Sequence, residues 1–261
     1  MRRGILTLAI LAAVQGTLVR AEVQTKTVTY KHGNLECRGF LAWDDAIEGP
    51  RPGVLVVHEW WGLNEDARQR AQMLAREGYI AFAADMYGEG RTTEHPQEAG
   101  AMASEVRKNV DDWVRRAVAA LEVLKSQPQC DAERLAAIGY CFGGSTALQL
   151  GFSGADVDAV VSFHGALPGP TPEQVKRTKA SVLVCHGAQD SFIPDEAIQN
   201  FRKALDAGGA DWEMVYYGGA KHSFTVKGID EKGVNGLAYN QHDDERSWAR
   251  MLAFFQEKLR K

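Results

Sequence analysis

From residue 54 onward, short apolar runs alternate with segments of helical spacing, and this alternation restricts the fold more than any other feature of the sequence. Val54-Leu55-Val56-Val57, Tyr79-Ile80-Ala81-Phe82, Leu135-Ala136-Ala137-Ile138, Val157 to Phe163 and Val182-Leu183-Val184 are apolar runs of buried-strand length. Between them, Asp66 to Glu77 carries Ala67, Ala71, Leu74 and Ala75 at helical spacing. Asn109 to Leu124 does the same with Val110, Trp113, Val114, Ala117, Leu121 and Leu124. Strand and helix in turn predict an α/β fold, a mostly parallel central sheet with helices on both faces. A strand at Glu213 to Tyr217 and a helix at Asp243 to Leu259 complete it. Ahead of this pattern, Val23 to Tyr30 and Leu35 to Trp43 flank His32-Gly33-Asn34 and predict an N-terminal β-hairpin.

Residues 1 to 21 read differently. Arg2 and Arg3 precede an apolar run from Ile5 to Val14, and Val19-Arg20-Ala21 places small residues at −3 and −1 of a cleavage point. This predicts a secretory signal peptide, hence a periplasmic or secreted protein. The apolar run is well short of the roughly 20 residues of a membrane-spanning helix, so no stable membrane anchor is expected. Residues 22 to 261 show no repeat, low-complexity tract or linker and are read as a single domain, expected to be a monomer. Hydrophobic residues make up 45% of the chain, enough for a packed core rather than disorder. The net charge of −4 becomes −7 once Arg2, Arg3 and Arg20 are removed, so nucleic acid is not an expected partner.

The densest chemical signal is Gly139-Tyr140-Cys141-Phe142-Gly143-Gly144, directly after the run Leu135 to Ile138 and before a helical stretch, Ser145 to Leu150. It has the form G-x-nucleophile-x-G on a strand-to-helix turn, with cysteine where serine is usual. A helix starting there aims free N–H groups at the sulfur and favours the thiolate. A nucleophile of this kind needs a base and an orienting acid, which in α/β-hydrolases follow it in the order acid, base. Asp190, beyond Val182 to Val184, and His222, beyond Glu213 to Tyr217, occupy those places. His164 follows a strand one unit too early, His186 precedes the acid loop, and His32, His95 and His242 lie on expected loops or turns. The spacings of Cys37, Cys130, Cys141 and Cys185 match neither a zinc site nor a CxxC pair, so no metal site is predicted and their pairing stays open. An oxyanion hole is expected from the N–H of Phe142 and an N–H of His58-Glu59-Trp60-Trp61-Gly62, the loop after Val54 to Val57.

Across nearly all of residues 25 to 260 the chain resembles the dienelactone hydrolase (carboxymethylenebutenolidase) family of α/β-hydrolases. The motifs that carry the likeness are His58 to Gly62, Ala83-Ala84-Asp85-Met86-Tyr87, Gly139 to Gly144, His186-Gly187-Ala188-Gln189-Asp190 and His222-Ser223-Phe224. The resemblance implies a Cys141, Asp190, His222 triad, oxyanion donors at Phe142 and Trp60, no cofactor, and hydrolysis of a small-molecule ester or lactone. It also implies that Glu59 lies near the resting thiol and controls when the thiolate forms. Arg91, Trp61, Tyr87 and Phe224 are the candidate substrate contacts. The sequence departs from the family where a substrate carboxylate is held by two arginines: Arg91 is near the first place, and Val226 fills the second, beside Lys227. Two other readings are a thiol redox or peroxide-sensing protein that uses Cys141 and a non-catalytic binder on the same fold.

Overall fold

The computed structural model describes residues 22–259, so the expected signal peptide lies outside the described residues. The hairpin forms from β1 (Val23–His32) and β2 (Leu35–Asp44), which pair antiparallel from Val23 against Asp44 to His32 against Leu35. The remaining strands are β3 (Arg51–Val57), β4 (Ile80–Ala84), β5 (Cys130–Tyr140), β6 (Ala159–Phe163), β7 (Ser181–Gly187) and β8 (Trp212–Tyr217). They lie in one eight-stranded sheet of order β1-β2-β4-β3-β5-β6-β7-β8, parallel from β4 to β8 and joined to the hairpin by the antiparallel pair β2 and β4.

The helices are α1 (Glu65–Arg76), α2 (Pro96–Arg107), α3 (Val110–Lys125), α4 (Phe142–Phe152), α5 (Pro172–Arg177), α6 (Asp195–Gly208) and α7 (Gln241–Lys258). The two-residue period of the strands divides the core. Leu55, Val57, Phe82 and Ala137 pack with Trp113, Leu121, Leu148, Phe201 and Leu205 of α3, α4 and α6. Val54, Val56, Ala83 and Ile138 face the other way, against Ala71 and Leu74 of α1 and Phe254 and Phe255 of α7. Asn64 and Asn109 accept backbone N–H groups at the starts of α1 and α3, which explains why those helices begin where they do.

Three helices fall outside the spacing-based expectation, the shortest being the six-residue α5, which opens on Pro172 after a Thr171 capping box. In α2 the core face is only Ala99, Ala103 and Val106, too weak a stripe to stand out, although Pro96 at its first turn is a start signal. In α6, Ile198, Phe201 and Leu205 are buried at helical spacing. No helix among the described residues is long and apolar enough to cross a membrane.

Candidate active site

Parallel strands bring their C-terminal ends to one edge, and the candidate residues sit on the loops that leave it. β5 runs into Cys141, β3 into His58 to Gly62, β7 into Asp190 and β8 into His222.

Cys141 occupies the turn between β5 and α4 with φ 50° and ψ −111°, a conformation costly for a residue with a side chain. The turn survives because its flanks carry no Cβ: one at Gly139 would overlap the carbonyl of Gly143, and one at Gly143 would overlap that of Val57. Cys141 donates its own N–H to the Phe163 carbonyl at 3.0 Å, which ties the turn to β6. Phe142 is the first residue of α4, so its N–H has no acceptor within the helix. The Trp60 N–H likewise has no acceptor among the described residues. All four cysteines are free thiols; Cys141 is partly exposed and the other three are buried.

His222 donates from Nδ1 to Asp190 Oδ2 at 2.7 Å, and the Phe192 N–H donates to Asp190 Oδ1 at 2.9 Å. Both side chains are almost fully enclosed. Burial disfavours the imidazolium, but the charge of the Cys141 sulfur and the hydrogen bond to Asp190 outweigh it, and the His222 pKa rises well above the ordinary value. Cys141 and His222 share the walls of one cavity of about 230 Å³ with Trp60, Arg107, Ala166, Phe192, Ile193 and Leu237. The structure thus brings Cys141, His222, Asp190, Phe142 and Trp60 together.

Glu59 is buried and interacts electrostatically with His222. Its carboxyl turns to Ser223, whose hydroxyl donates to Oε1 at 2.8 Å, and to His164, whose Nδ1 lies 3.8 Å away; it does not line the thiol cavity. Burial pushes the Glu59 pKa up to about 7. His164 is held neutral by burial, with Nε2 against Thr225 Oγ1 at 2.8 Å. His58 is neutral too, its pKa lowered by burial to about 4. Its Nε2 accepts the Met86 N–H while Nδ1 donates to the Glu59 carbonyl, so the β3 and β4 loops are pinned together. Cys141, His164 and Ser223 all have positive φ, which concentrates backbone strain around this carboxyl.

None of the four substrate-contact candidates lines the thiol cavity. Arg91 is exposed and donates to the Tyr87 carbonyl at 2.7 Å. Tyr87 is buried, with its hydroxyl donated to the Trp60 carbonyl at 2.9 Å, so it braces the loop after β3 instead. Trp61 packs edge-on against Trp60 in a separate cluster, and Phe224 lies beneath the histidine loop against His164 and Tyr217. In their place the wall takes Arg107, at the end of α2, whose guanidinium lies 5.2 Å from the centre of the Phe142 ring. No carboxylate pairs with Arg107 among the described residues. Phe192 also escaped the sequence reading, although its place two residues after Asp190 was the available signal.

A profile described as the dienelactone hydrolase family matches residues 37–259. The solved structure named m3DLH is 41% identical with a TM-score of 0.88, over 91% of this chain and 99% of its own. A dienelactone hydrolase-like promiscuous phosphotriesterase, P91, from metagenomic libraries is 38% identical with a TM-score of 0.89, over 92% and 100%. Protein usf of Aquifex pyrophilus is 28% identical over 89% of this chain and 98% of its own length. Because that profile spans most of the chain, the chain belongs to the dienelactone hydrolase family.

Proposed function

We propose that this chain hydrolyses small carboxylic esters or lactones by thiol acyl transfer. The observation that carries the reading is Cys141 on the strained turn, in one cavity with a His222 held by Asp190. His222 takes the proton of the Cys141 thiol, and the sulfur adds to the substrate carbonyl. The N–H groups of Phe142 and Trp60 receive the oxyanion. His222, now imidazolium, gives its proton to the departing oxygen, leaving a thioester on Cys141. A water molecule, deprotonated by His222, then attacks the thioester, and the proton returns to the sulfur as the acid leaves.

The wall chemistry bears on what fits. Trp60, Phe192, Ile193 and Leu237 suit an apolar acyl or alcohol portion, and Arg107 is the cation that faces it. Export is part of the proposal on the strength of residues 1 to 21 alone, and N-terminal sequencing of the secreted protein tests it. The hydrolase reading is tested with a panel of short p-nitrophenyl esters and small lactones on wild type and Cys141→Ala. Loss of turnover in the variant supports it; full turnover there refutes it.

A further inference from the structure

The thiol cavity has two unlike ends. Beside the catalytic histidine its wall is apolar: the Phe192 ring centre lies 5.0 Å from that of His222, Leu237 is the backbone bridge partner of His222, and Ile193 follows Phe192. Beside the sulfur its wall takes Ala166 and Arg107. The Ala166 carbonyl accepts from the Ser145 hydroxyl, early in α4, at 2.9 Å, and the Arg107 guanidinium lies over the Phe142 ring. Ile193 and Leu237 are buried, whereas Ala166 and Arg107 are exposed.

The apolar end is built from two loops fitted to each other. Phe192 follows shortly after Asp190, and its N–H holds the Asp190 carboxylate. Leu237 belongs to the segment after His222, which is tied back by the Ala238 N–H on the His222 carbonyl at 3.2 Å and by Lys232 on Glu94 at 3.0 Å. The loops meet at Gly236, whose φ is 91° and where a Cβ would come within 2.8 Å of the Phe192 ring. The loops that fix the base and its acid therefore also shape the wall in front of them. Phe192 is 46% exposed, so much of its ring is open to a ligand.

Acyl transfer sets which half of an ester meets which end. The carbonyl carbon bonds to the sulfur, its oxygen points to the N–H groups of Phe142 and Trp60, and the leaving oxygen must reach His222 Nε2, since Nδ1 is committed to Asp190. As the carbon–oxygen bond breaks, the Nε2 proton passes to that oxygen, so the group it carries lies along Phe192 and Leu237. The acyl substituent takes the remaining direction, toward Ala166 and Arg107. A ring placed there would stay partly in water and would strip hydration from an unpaired guanidinium, whereas a ring against Phe192 and Leu237 leaves water for apolar surface. We infer, building on thiol acyl transfer at Cys141, that the wall of Phe192, Ile193 and Leu237 is an alcohol-side subsite, which makes the enzyme selective for esters of ring-sized apolar alcohols. Every acetate ester yields the same acetyl-enzyme, so the selection acts on acylation and is read in kcat/KM.

Benzyl acetate and methyl phenylacetate test this directly, being isomers that carry the same ring on opposite halves and release alcohols of similar acidity. Wild type is expected to show a kcat/KM for benzyl acetate about tenfold or more above that for methyl phenylacetate. Phe192→Ala and Leu237→Ala are each expected to lower that ratio about fivefold or more. A loss that comes from disturbing His222 falls on both isomers alike and leaves the ratio unmoved. Equal rates or a preference for methyl phenylacetate, a ratio left unmoved by either folded variant, or turnover of p-nitrophenyl acetate without turnover of benzyl acetate overturns the proposal. Circular dichroism verifies the fold, and Phe192→Ala, at an exposed ring, decides alone if Leu237→Ala does not fold. Failure of the thiol mechanism is read separately: Cys141→Ala would then hydrolyse p-nitrophenyl acetate, or wild type would turn over no ester at all.

Discussion

Asp190→Asn is the perturbation whose size follows most directly from the geometry. Both carboxylate oxygens of Asp190 accept: Oδ2 from His222 Nδ1–H at 2.7 Å and Oδ1 from the Phe192 N–H at 2.9 Å. Asparagine offers one acceptor and one NH₂ group. If the acceptor stays with Phe192, the amide N–H groups face Nδ1 and force the His222 proton onto Nε2, where the imidazole can no longer take a proton from sulfur. If it stays with His222, the Phe192 N–H is left facing a donor. Coulomb's law at 2.7 Å with an effective dielectric constant of about 20 gives a gross attraction of about 6 kcal/mol between imidazolium and carboxylate. Most of that is returned by solvation in the competing state, and the net value of a hydrogen bond to a charged group is about 1.5–3 kcal/mol. The expected fall in kcat/KM is therefore about 10- to 150-fold on a short p-nitrophenyl ester. The pH profile adds a second reading. Removing Asp190 lowers the raised His222 pKa, so the alkaline limb of kcat/KM, where the imidazolium acid is lost, moves to lower pH. A variant within about twofold of wild type and with an unshifted limb would refute the roles given to Asp190 and His222.

Other outcomes follow from the same geometry. Glu59 titrates at about 7 in the folded chain against 4.5 unfolded, so the folded state holds the extra proton between these values and stability falls as pH rises through that window. Glu59→Gln removes this loss, and its stability relative to wild type is expected to improve by about 3 kcal/mol between pH about 5 and about 8 in urea melts; a pH-independent difference contradicts the burial argument. Arg107→Gln is expected to lower kcat/KM about tenfold or more for an ester carrying a carboxylate while leaving its uncharged isostere within about threefold, and equal losses on both would remove Arg107 from recognition. Phe201, fully buried and edge-on to Phe152 at 6.1 Å, should cost about 3–5 kcal/mol as Phe201→Ala, and a loss under about 1 kcal/mol by denaturant titration would show that α6 is not bound into the core as described.

What could be read from the sequence depended on how local its cause was. The nucleophile turn was legible because Gly139 and Gly143 record a backbone constraint within a few residues of Cys141. Asp190 and His222 were legible from chain order, since each follows an apolar strand whose end must face the same edge of a parallel sheet. The orientation of Glu59 was not, because it is fixed by Ser223, 164 residues away, and by His164 on a third loop. The substrate-contact candidates lie outside the lining of the thiol cavity for a related reason. Asp85 gathers the N–H groups of Arg38, Tyr87, Gly88 and Gly90, which ties the segment bearing Tyr87 and Arg91 into a tight structural knot, with the Tyr87 hydroxyl committed to the Trp60 carbonyl. Arg107 went unnoticed because it ends α2, whose alanine-rich core face carries little hydrophobic contrast.

The central claim is that an acyl group passes through the sulfur of Cys141. It is tested most directly by mixing the enzyme with a slowly deacylated ester, quenching in acid and measuring the intact mass and the labelled peptide. The expected result is a mass gain equal to the acyl group, located on Cys141, released by hydroxylamine as a thioester and absent from Cys141→Ala. An acyl group found on Ser145 or Ser223 instead, or steady turnover in Cys141→Ala, would contradict it.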